Sequence, residues 1–537
     1  MNAELEDRAR MTAWIAMAVM FVCTASVAFR SSGLVYDMPL TEDGYLSMTI
    51  ARNIGLGRGL TADARELTNG FQPLWVFAIS LWFRLFDGDR LSAVRAVLLT
   101  HSVIFIASAH VWARFLSSFS AAHRARNYTL FLATYLFSLQ LIVQSFNGLE
   151  TGLLLLTFGL AVRSYVSAGD DGTWPLFRTA CLLGLLTLVR IDAAIFVAIL
   201  VTVDLIAGSG PAGTRLKRAA MLGGVSALFL LPWLAYGWLQ FGSVIPISGQ
   251  SLTLSSSTRN VPLATYNMLG ALIRNLVPTY WGGRFRRFSA LMLAGLLVAV
   301  WVRLRNRGMT MTSVWRELER QPLRMRVAVG SLTLFVAVLV VLYARDSNAV
   351  FFWPRYMVLC AILGVAWIGT LTAVVWNNSP RWAALMWAVL CLPSLVFVPA
   401  WHRAGALLPA YLEAVSYWNG PMLAQVDLVR RYALPGERVG APQSGTLGFF
   451  IDGAYNLDGK VSLSALNARK QKALVRFMLD SEIGLVVDFQ IFTLPGRQEL
   501  FDSVEFVRHY RQIYPEHYTS EYDLGVFRRI RDEAGRH

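Results

Sequence analysis

The sequence predicts an α-helical polytopic membrane protein with a soluble C-terminal α/β domain. Hydrophobic residues make up 55% of the 537-residue chain and charged residues only 15%, against about 25% charged in soluble proteins. Long uncharged apolar runs recur as far as residue 400 or so. Such runs must be helical in lipid, because lipid cannot satisfy backbone polar groups. Beyond them, turn residues separate amphipathic stretches such as 466–479 from short strand-like runs such as 483–489, which is typical of a small α/β domain.

The apolar runs fit about eleven transmembrane helices, each close to the thickness of a bilayer. We predict these spans at 11–30, 91–116, 127–145, 150–166, 176–190, 193–208, 217–240, 288–304, 327–343, 353–376 and 381–400. An odd number of spans places the two termini on opposite sides of the membrane. We therefore predict a transmembrane domain at 1–404 and an extracytoplasmic domain at 405–537.

Positive charge predicts the orientation, because Lys and Arg accumulate in cytoplasmic loops. With the N-terminus in the cytoplasm, the basic segments 8–10, 123–126, 215–218 and 303–326 all lie on the cytoplasmic side. The same rule accounts for the net charge of +15, so we expect membrane lipids as partners and no nucleic acid.

The first predicted outer loop, 31–90, contains an adjacent pair of acids, Glu42 and Asp43. Two close carboxylates suit a general base or a cation site, because like charge and partial desolvation can raise one pKa. Alternatively, both acids only favour the dipole at the start of a helix predicted at 45–55. The same loop holds an apolar segment at 73–86, too short to cross the membrane, which we interpret as an interfacial or re-entrant helix.

Several motifs of this loop resemble the first outer loop of the GT-C membrane glycosyltransferases, and most closely the cell-wall arabinofuranosyltransferase type. They are the acidic pair, 51–53 (ARN), 57–60 (GRGL) and 68–75 (TNGFQPLW). Further segments agree in order along the chain: 147–151 (NGLET), 188–192 (LVRID), 241–246 (FGSVIP), 355–356 (RY) and 456–459 (NLDG).

This resemblance implies a GT-C-like fold and an enzyme on the outer face of a bacterial inner membrane. The reaction would transfer a sugar, with arabinofuranose as the first expectation, from a polyprenyl phosphate donor to a hydroxyl of a glycan or protein acceptor. Asp43 would be the base, and Glu42 would assist it or hold a divalent cation with it. Arg355, Arg190 and Tyr356 would bind the donor phosphate, and the expected substrate-binding residues are Asn69, Gln72, Trp75, Glu150 and Asp192.

Structural roles are the alternatives for most of these side chains. Arg190 could only pair with Asp192 across a tight turn, and Arg355 could snorkel to the membrane interface. Glu150 could only favour a helix dipole. The cluster Arg284, Arg286 and Arg287 could attract phosphate or anchor to lipid head groups, and an aromatic belt is expected for Trp75, Trp281, Trp353 and Trp401.

Three other functions compete with an arabinofuranosyltransferase. One is a GT-C transferase for mannose or another sugar. The second is a transporter or lipid flippase, in which intramembrane charges would form a substrate path; such proteins usually show internal repeats and broken helices, and the sequence shows neither. The third is an assembly factor whose C-terminal domain binds a partner.

Overall fold

The computed structural model describes residues 2–119, 123–168, 172–254, 320–344, 353–376, 380–391, 420–489, 504–515 and 523–530, and isolated residues between 270 and 298. The described residues before position 400 are mostly helical. Their helices are α1 Asn2–Ala25, α2 Ser32–Tyr36, α3 Glu42–Gly55, α4 Pro73–Leu85, α5 Arg90–Ser117, α6 Arg124–Leu136, α7 Leu139–Ser145, α8 Thr151–Ser167, α9 Thr173–Val189, α10 Ala193–Ala207, α11 Ala212–Phe241, α12 Ile247–Leu254, α13 Leu323–Ala344, α14 Trp353–Tyr356, α15 Leu359–Trp376 and α16 Pro380–Cys391.

These helices overlap every predicted span that the described residues cover, and most of their ends agree within a few residues. The exceptions are α1, which begins at residue 2 and not at 11, and the span 353–376, which is interrupted at 357–358 between α14 and α15. Within the described part of the chain, four helices are long and apolar enough to cross a membrane, or five if the bent pair α6–α7 counts as one span. The total of eleven therefore stays a prediction. The expectation of one continuous helix at 127–145 is wrong, because Ser138 is extended and α6 and α7 meet at 60°.

Some predicted features lie outside the described residues. They are the span 288–304, most of the basic segment 303–326, the second half of the span 381–400 and the domain boundary at 404–405. The residues Trp281, Arg284, Arg286, Arg287 and Trp401 and the side chain of Trp353 belong to the same group.

The apolar segment 73–86 forms the short helix α4, as expected. Its 13 residues extend about 20 Å, less than the roughly 30 Å of a hydrocarbon core. One face buries Ile79 and Phe83, whereas Phe77 and Leu81 on the other face are exposed. A short helix with exposed apolar side chains agrees with the predicted interfacial position.

The C-terminal part contains a small mixed sheet, which confirms the predicted α/β architecture. Its elements are α17 Gly420–Tyr432, β1 Arg438–Ala441, α18 Gly445–Phe450, β2 Tyr455–Asn456, α19 Leu463–Lys470, α20 Leu474–Asp480, β3 Ile483–Phe489, α21 Val504–His509, β4 Tyr510–Tyr514 and β5 Leu524–Arg529. The strand order is β2-β1-β3-β5-β4, with β1 parallel to β2 and β3, and β5 antiparallel to β3 and β4. The central strand β3 is apolar on both faces because each face packs in a separate core.

The C-terminal part is tied to the first outer loop by charge and by aromatic packing. Asp452 accepts hydrogen bonds from Arg52 at 2.8 Å and from Arg90 at 2.6 Å. The ring of Phe449 lies 5.1 Å from that of Tyr45, between centroids. The ion pairs of Asp452 hold the C-terminal part against the end of α3 and the start of α5. The contact between Phe449 and Tyr45 places α18 beside the start of α3, where the acidic pair lies.

Candidate active site

The acidic pair begins α3, and this helix start is fixed against the turn that precedes α8. Thr41 accepts a hydrogen bond from the Gly44 amide at 3.2 Å, as N-cap residues do, and its hydroxyl donates to the Asn147 carbonyl at 2.8 Å. Gly44 packs so closely there that a Cβ atom would lie 2.4 Å from the Asn147 oxygen. This contact therefore sets the position from which Glu42 and Asp43 project.

Asp43 lies between two cations from distant parts of the chain. Arg355, in α14, donates from Nη1 to Oδ2 of Asp43 at 3.2 Å. Lys460, in the C-terminal part, places its Nζ 3.7 Å from Oδ1. All three side chains keep between 15% and 22% of their surface exposed, so they are mostly dehydrated and still accessible.

The two cations decide the pKa of Asp43. Burial alone would raise this pKa, but Lys460 and then Arg355 stabilise the carboxylate and hold the pKa below its ordinary value. One pKa of the pair is raised, as expected, but it is that of Glu42, through burial. The upward shift expected for Asp43 is wrong for this arrangement. Asp43 is an ion-paired carboxylate at neutral pH.

Glu42 faces the C-terminal part instead. Its carboxylate accepts hydrogen bonds from the backbone amide of Gly445, from the amide of Thr446 at 2.8 Å and from the Thr446 hydroxyl at 2.6 Å. Burial raises the pKa of Glu42, although these hydrogen bonds favour its charged form. Glu42 therefore joins α3 to the start of α18.

A second group of side chains surrounds Tyr356, directly after Arg355. Arg190 donates to both carboxylate oxygens of Asp192, with 3.1 Å from Nε to Oδ1, and the Tyr343 hydroxyl donates to Asp192 at 2.9 Å. Tyr343 stacks on Tyr356 with 4.4 Å between ring centroids. The Cζ atoms of Arg190 and Arg355 lie 5.0 and 5.2 Å from the Tyr356 centroid, within the range of a cation–π contact.

Arg190 does pair with Asp192, as the alternative to phosphate binding expected. This pair uses only Nε and Nη2 of the guanidinium. Nη1 of Arg190 is buried and has no hydrogen-bond partner among the described residues. Glu150 is 5% exposed, does not cap α8 through its side chain, and its charge acts on both Arg190 and Arg355. Glu150, Arg190 and Arg355 therefore belong to one charged group with Asp43.

Three predicted substrate-binding residues lie in supporting positions. Asn69 is 1% exposed and accepts a hydrogen bond from the Ile247 amide at 3.0 Å. Trp75, also 1% exposed, donates to the Gly148 carbonyl at 3.0 Å, so its assignment to an aromatic belt is wrong. Oε1 of Gln72 is buried without a hydrogen-bond partner in the described part of the chain. Substrate contact by these three stays a prediction.

The residues around the acidic pair do not fit a divalent cation. Both oxygens of Glu42 already accept from N–H and O–H donors, and Asp43 faces Arg355 and Lys460. Positive side chains at this distance repel a metal ion. Over the described ranges, no group of three His, Cys, Asp or Glu side chains is arranged to hold a metal.

Lys460 was missed by the sequence analysis, although it directly follows the NLDG segment. Asp458 of that segment accepts from the Lys460 amide at 2.9 Å, and its Oδ2 lies 3.4 Å from Lys460 Nζ. Asn456 accepts from the Val461 amide at 3.3 Å. The segment is therefore a turn that places Lys460 beside Asp43. Its position directly after the NLDG motif was the only feature of the sequence that pointed to a role for Lys460.

No protein-family model matches the chain, and no curated protein matches it. Its structure is similar to that of the oligosaccharyltransferase of Archaeoglobus fulgidus crystallised with Zn and sulfate, with a TM-score of 0.51 and 13% identity over 90% of this chain and 68% of that one. The apo form of the same archaeal protein gives 0.49 and 13%, over 90% and 70%. The first likeness shows that the chain has an oligosaccharyltransferase-like fold, which agrees with the predicted GT-C-like architecture.

Proposed function

We propose that this chain is a membrane glycosyltransferase that moves a sugar from a polyprenyl phosphate to the hydroxyl of a glycan or protein acceptor. The observation that carries the proposal is Asp43 in contact with both Arg355 and Lys460. A carboxylate beside two cations supplies a base next to a site for the leaving phosphate. The fold shared with an oligosaccharyltransferase supports the same reaction class.

In the proposed reaction, the acceptor hydroxyl oxygen attacks the anomeric carbon of the donor sugar. Asp43 takes the proton of that hydroxyl, and the bond between the anomeric carbon and the phosphate oxygen breaks. The electron pair of this bond stays on the phosphate, whose added negative charge Arg355 and Lys460 stabilise. Nη1 of Arg190, which has no hydrogen-bond partner among the described residues, is a further donor for the same anion, and the Tyr356 ring lies within cation–π range of both arginines.

Donor binding would also prepare the base. Without donor, Lys460 and Arg355 lower the pKa of Asp43, which makes it a weak proton acceptor. A bound phosphate competes with Asp43 for both cations. As their hold on the carboxylate weakens, its pKa rises towards the ordinary value, so Asp43 gains basicity only when the donor is in place.

The proposal also includes the donor sugar, the membrane and the orientation of the enzyme. Arabinofuranose is the first donor sugar to test, and the enzyme would lie in a bacterial inner membrane with its N-terminus in the cytoplasm. The basic segments 8–10, in the first half of α1, and 123–126, at the start of α6, lie at the end of the helical part opposite Asp43, because α1 and α5 run between the two ends. Glu42 has a positioning role in this scheme, through the part of the chain that carries Lys460.

Transfer by the purified full-length protein, supplied with a panel of polyprenyl-phosphate sugars, tests the proposal. Asp43→Asn should lower transfer by about 10²-fold or more, while the control Asp87→Asn, at an exposed acid of the same loop, should leave it unchanged. Activity of Asp43→Asn within threefold of the wild type, with a donor that the wild type uses, would remove Asp43 as the base. No transfer from any donor of the panel would contradict the proposed reaction.

A further inference from the structure

A separate pocket lies at the end of the helical part opposite Asp43. It has a volume of about 640 Å³, within the range of roughly 300–1,000 Å³ of small-molecule sites. Residues 90 to 114 of α5 separate it from the Asp43 end by about 36 Å. Side chains of four helices line it, among them Arg10 and Trp14 of α1, Arg114 of α5, Arg124 of α6 and Arg163 of α8.

The charged side chains that line this pocket are mostly positive. Arg10 pairs with Glu6, the acid of the lining, at 3.6 Å. Within the described ranges, Arg114, Arg124 and Arg163 have no carboxylate at ion-pair distance. The guanidinium of Arg163 is close enough to those of Arg114 and Arg124 for their positive charges to repel it. Arg163 is half-buried, and Arg114 and Arg124 are exposed. Like charges held close together repel each other, so an anion placed among them is stabilised by all three.

The remaining lining has the character of a membrane interface. Tyr128 and His110 share a hydrogen bond of 2.8 Å between the phenol oxygen and Nδ1, and both line the pocket. Met17 and Phe115 provide an apolar wall, and Trp14 is 67% exposed at the side. Trp residues favour the head-group level of a bilayer. The pocket therefore fits a ligand with both an anionic group and an apolar chain.

We propose that this pocket binds the phosphate head group of an anionic phospholipid in the leaflet opposite the active site. Arg114, Arg124 and Arg163 contact the phosphate through charge-assisted hydrogen bonds, and Trp14 lies along the first part of an acyl chain. Basic pockets between helices on the cytoplasmic side suit such head groups. Arginines that served orientation alone would need no common pocket between four helices.

Native mass spectrometry of the full-length protein tests this site with dioleoylphosphatidylglycerol as the probe. One retained molecule is expected on the wild type, with at least tenfold weaker retention in Arg114→Gln/Arg163→Gln. Lys217→Gln removes one charge at an exposed position outside the pocket. It is the matched control for the single variant Arg124→Gln and should bind as the wild type does. Arg124→Gln changes an exposed residue and serves as the test if the double variant does not fold.

Two comparisons separate the lipid from other sources of binding. Dioleoylphosphatidylcholine should be retained at least tenfold less, and millimolar inorganic phosphate should not displace phosphatidylglycerol. Equal retention of the two lipids, equal retention by the variants, or displacement by inorganic phosphate would each overturn the lipid site.

Discussion

The contact between Glu42 and the start of α18 gives a prediction that separates docking from chemistry. Glu42→Gln keeps the side chain's shape but replaces one acceptor oxygen with an NH₂ group, which cannot accept. The best orientation leaves the remaining oxygen on Thr446, whose amide and hydroxyl both need it. The new NH₂ group then faces the Gly445 amide, donor against donor.

The expected cost follows from the bonds lost. A hydrogen bond to a charged acceptor contributes about 1.5–3 kcal/mol, and a buried donor left without a partner costs about 1–3 kcal/mol. We take about 2–3 kcal/mol as the weakening of this contact. Since 1.4 kcal/mol is a factor of ten in an equilibrium constant, local opening at α18 should become on the order of 30- to 100-fold more frequent.

Hydrogen exchange of the Gly445 and Thr446 amides in the full-length protein measures this opening directly. The control is Asp87→Asn, which removes the same charge from an exposed position of the same outer loop. Wild-type exchange at α18 in Glu42→Gln would show that this contact does not hold the C-terminal part in place. Faster exchange in both variants would assign the effect to loss of charge in general.

Three further predictions concern Asp43 and its surroundings. Lys460→Gln should raise the KM for the polyprenyl-phosphate donor by at least tenfold, because truncating a charged partner of a bound anion costs about 2–5 kcal/mol, and an unchanged KM would remove Lys460 from the donor site. The folded-state pKa of Asp43 is lowered, so its stabilisation is complete above the unfolded value of 3.8 and is lost as the pH falls through the lower folded pKa. The difference in Tm between wild type and Asp43→Asn should therefore shrink as the pH falls from 3.8 through that lower pKa, and a constant difference would contradict the ion pairs. Gly44→Ala forces a Cβ atom against the Asn147 carbonyl and should lower transfer at least tenfold, whereas Gly33→Ala, where a Cβ meets nothing within 4 Å, should have no effect; equal activity of both variants would show that this contact does not position the acidic pair.

The sequence predicted those features that depend on residues close together in the chain. Apolar runs predicted most of the helix ends within a few residues because lipid demands internal hydrogen bonding, and the strand at 483–489 was predicted with its actual bounds. The predicted spans also place Asp43, Glu150, Arg190 and Arg355 at helix ends on the same side of the membrane. The break at Ser138 was not predictable in this way, since neither Pro nor Gly marks it.

Contacts over long sequence separations were the part that the sequence could not supply. Lys460 is 417 positions from Asp43, the difference between their residue numbers, and its partner depends on how the C-terminal part docks. The direction of the pKa shift of Asp43 was missed for that reason, because one of the two cations that determine it comes from this docking. Trp75 was assigned to the membrane interface from its residue type, but its indole N–H finds a partner in the core.

The geometry of a helix start explains why Glu42 and Asp43 have different roles. Successive residues of an α-helix point about 100° apart, so Glu42 and Asp43 cannot both face the same small ligand. Glu42 turns to α18 and fixes the C-terminal part, and that part presents Lys460 to Asp43. Replacing either acid should therefore lower transfer, but for different reasons. Loss of transfer with faster exchange at α18 indicates the positioning role of Glu42, whereas loss of transfer with normal exchange there indicates the chemical role of Asp43.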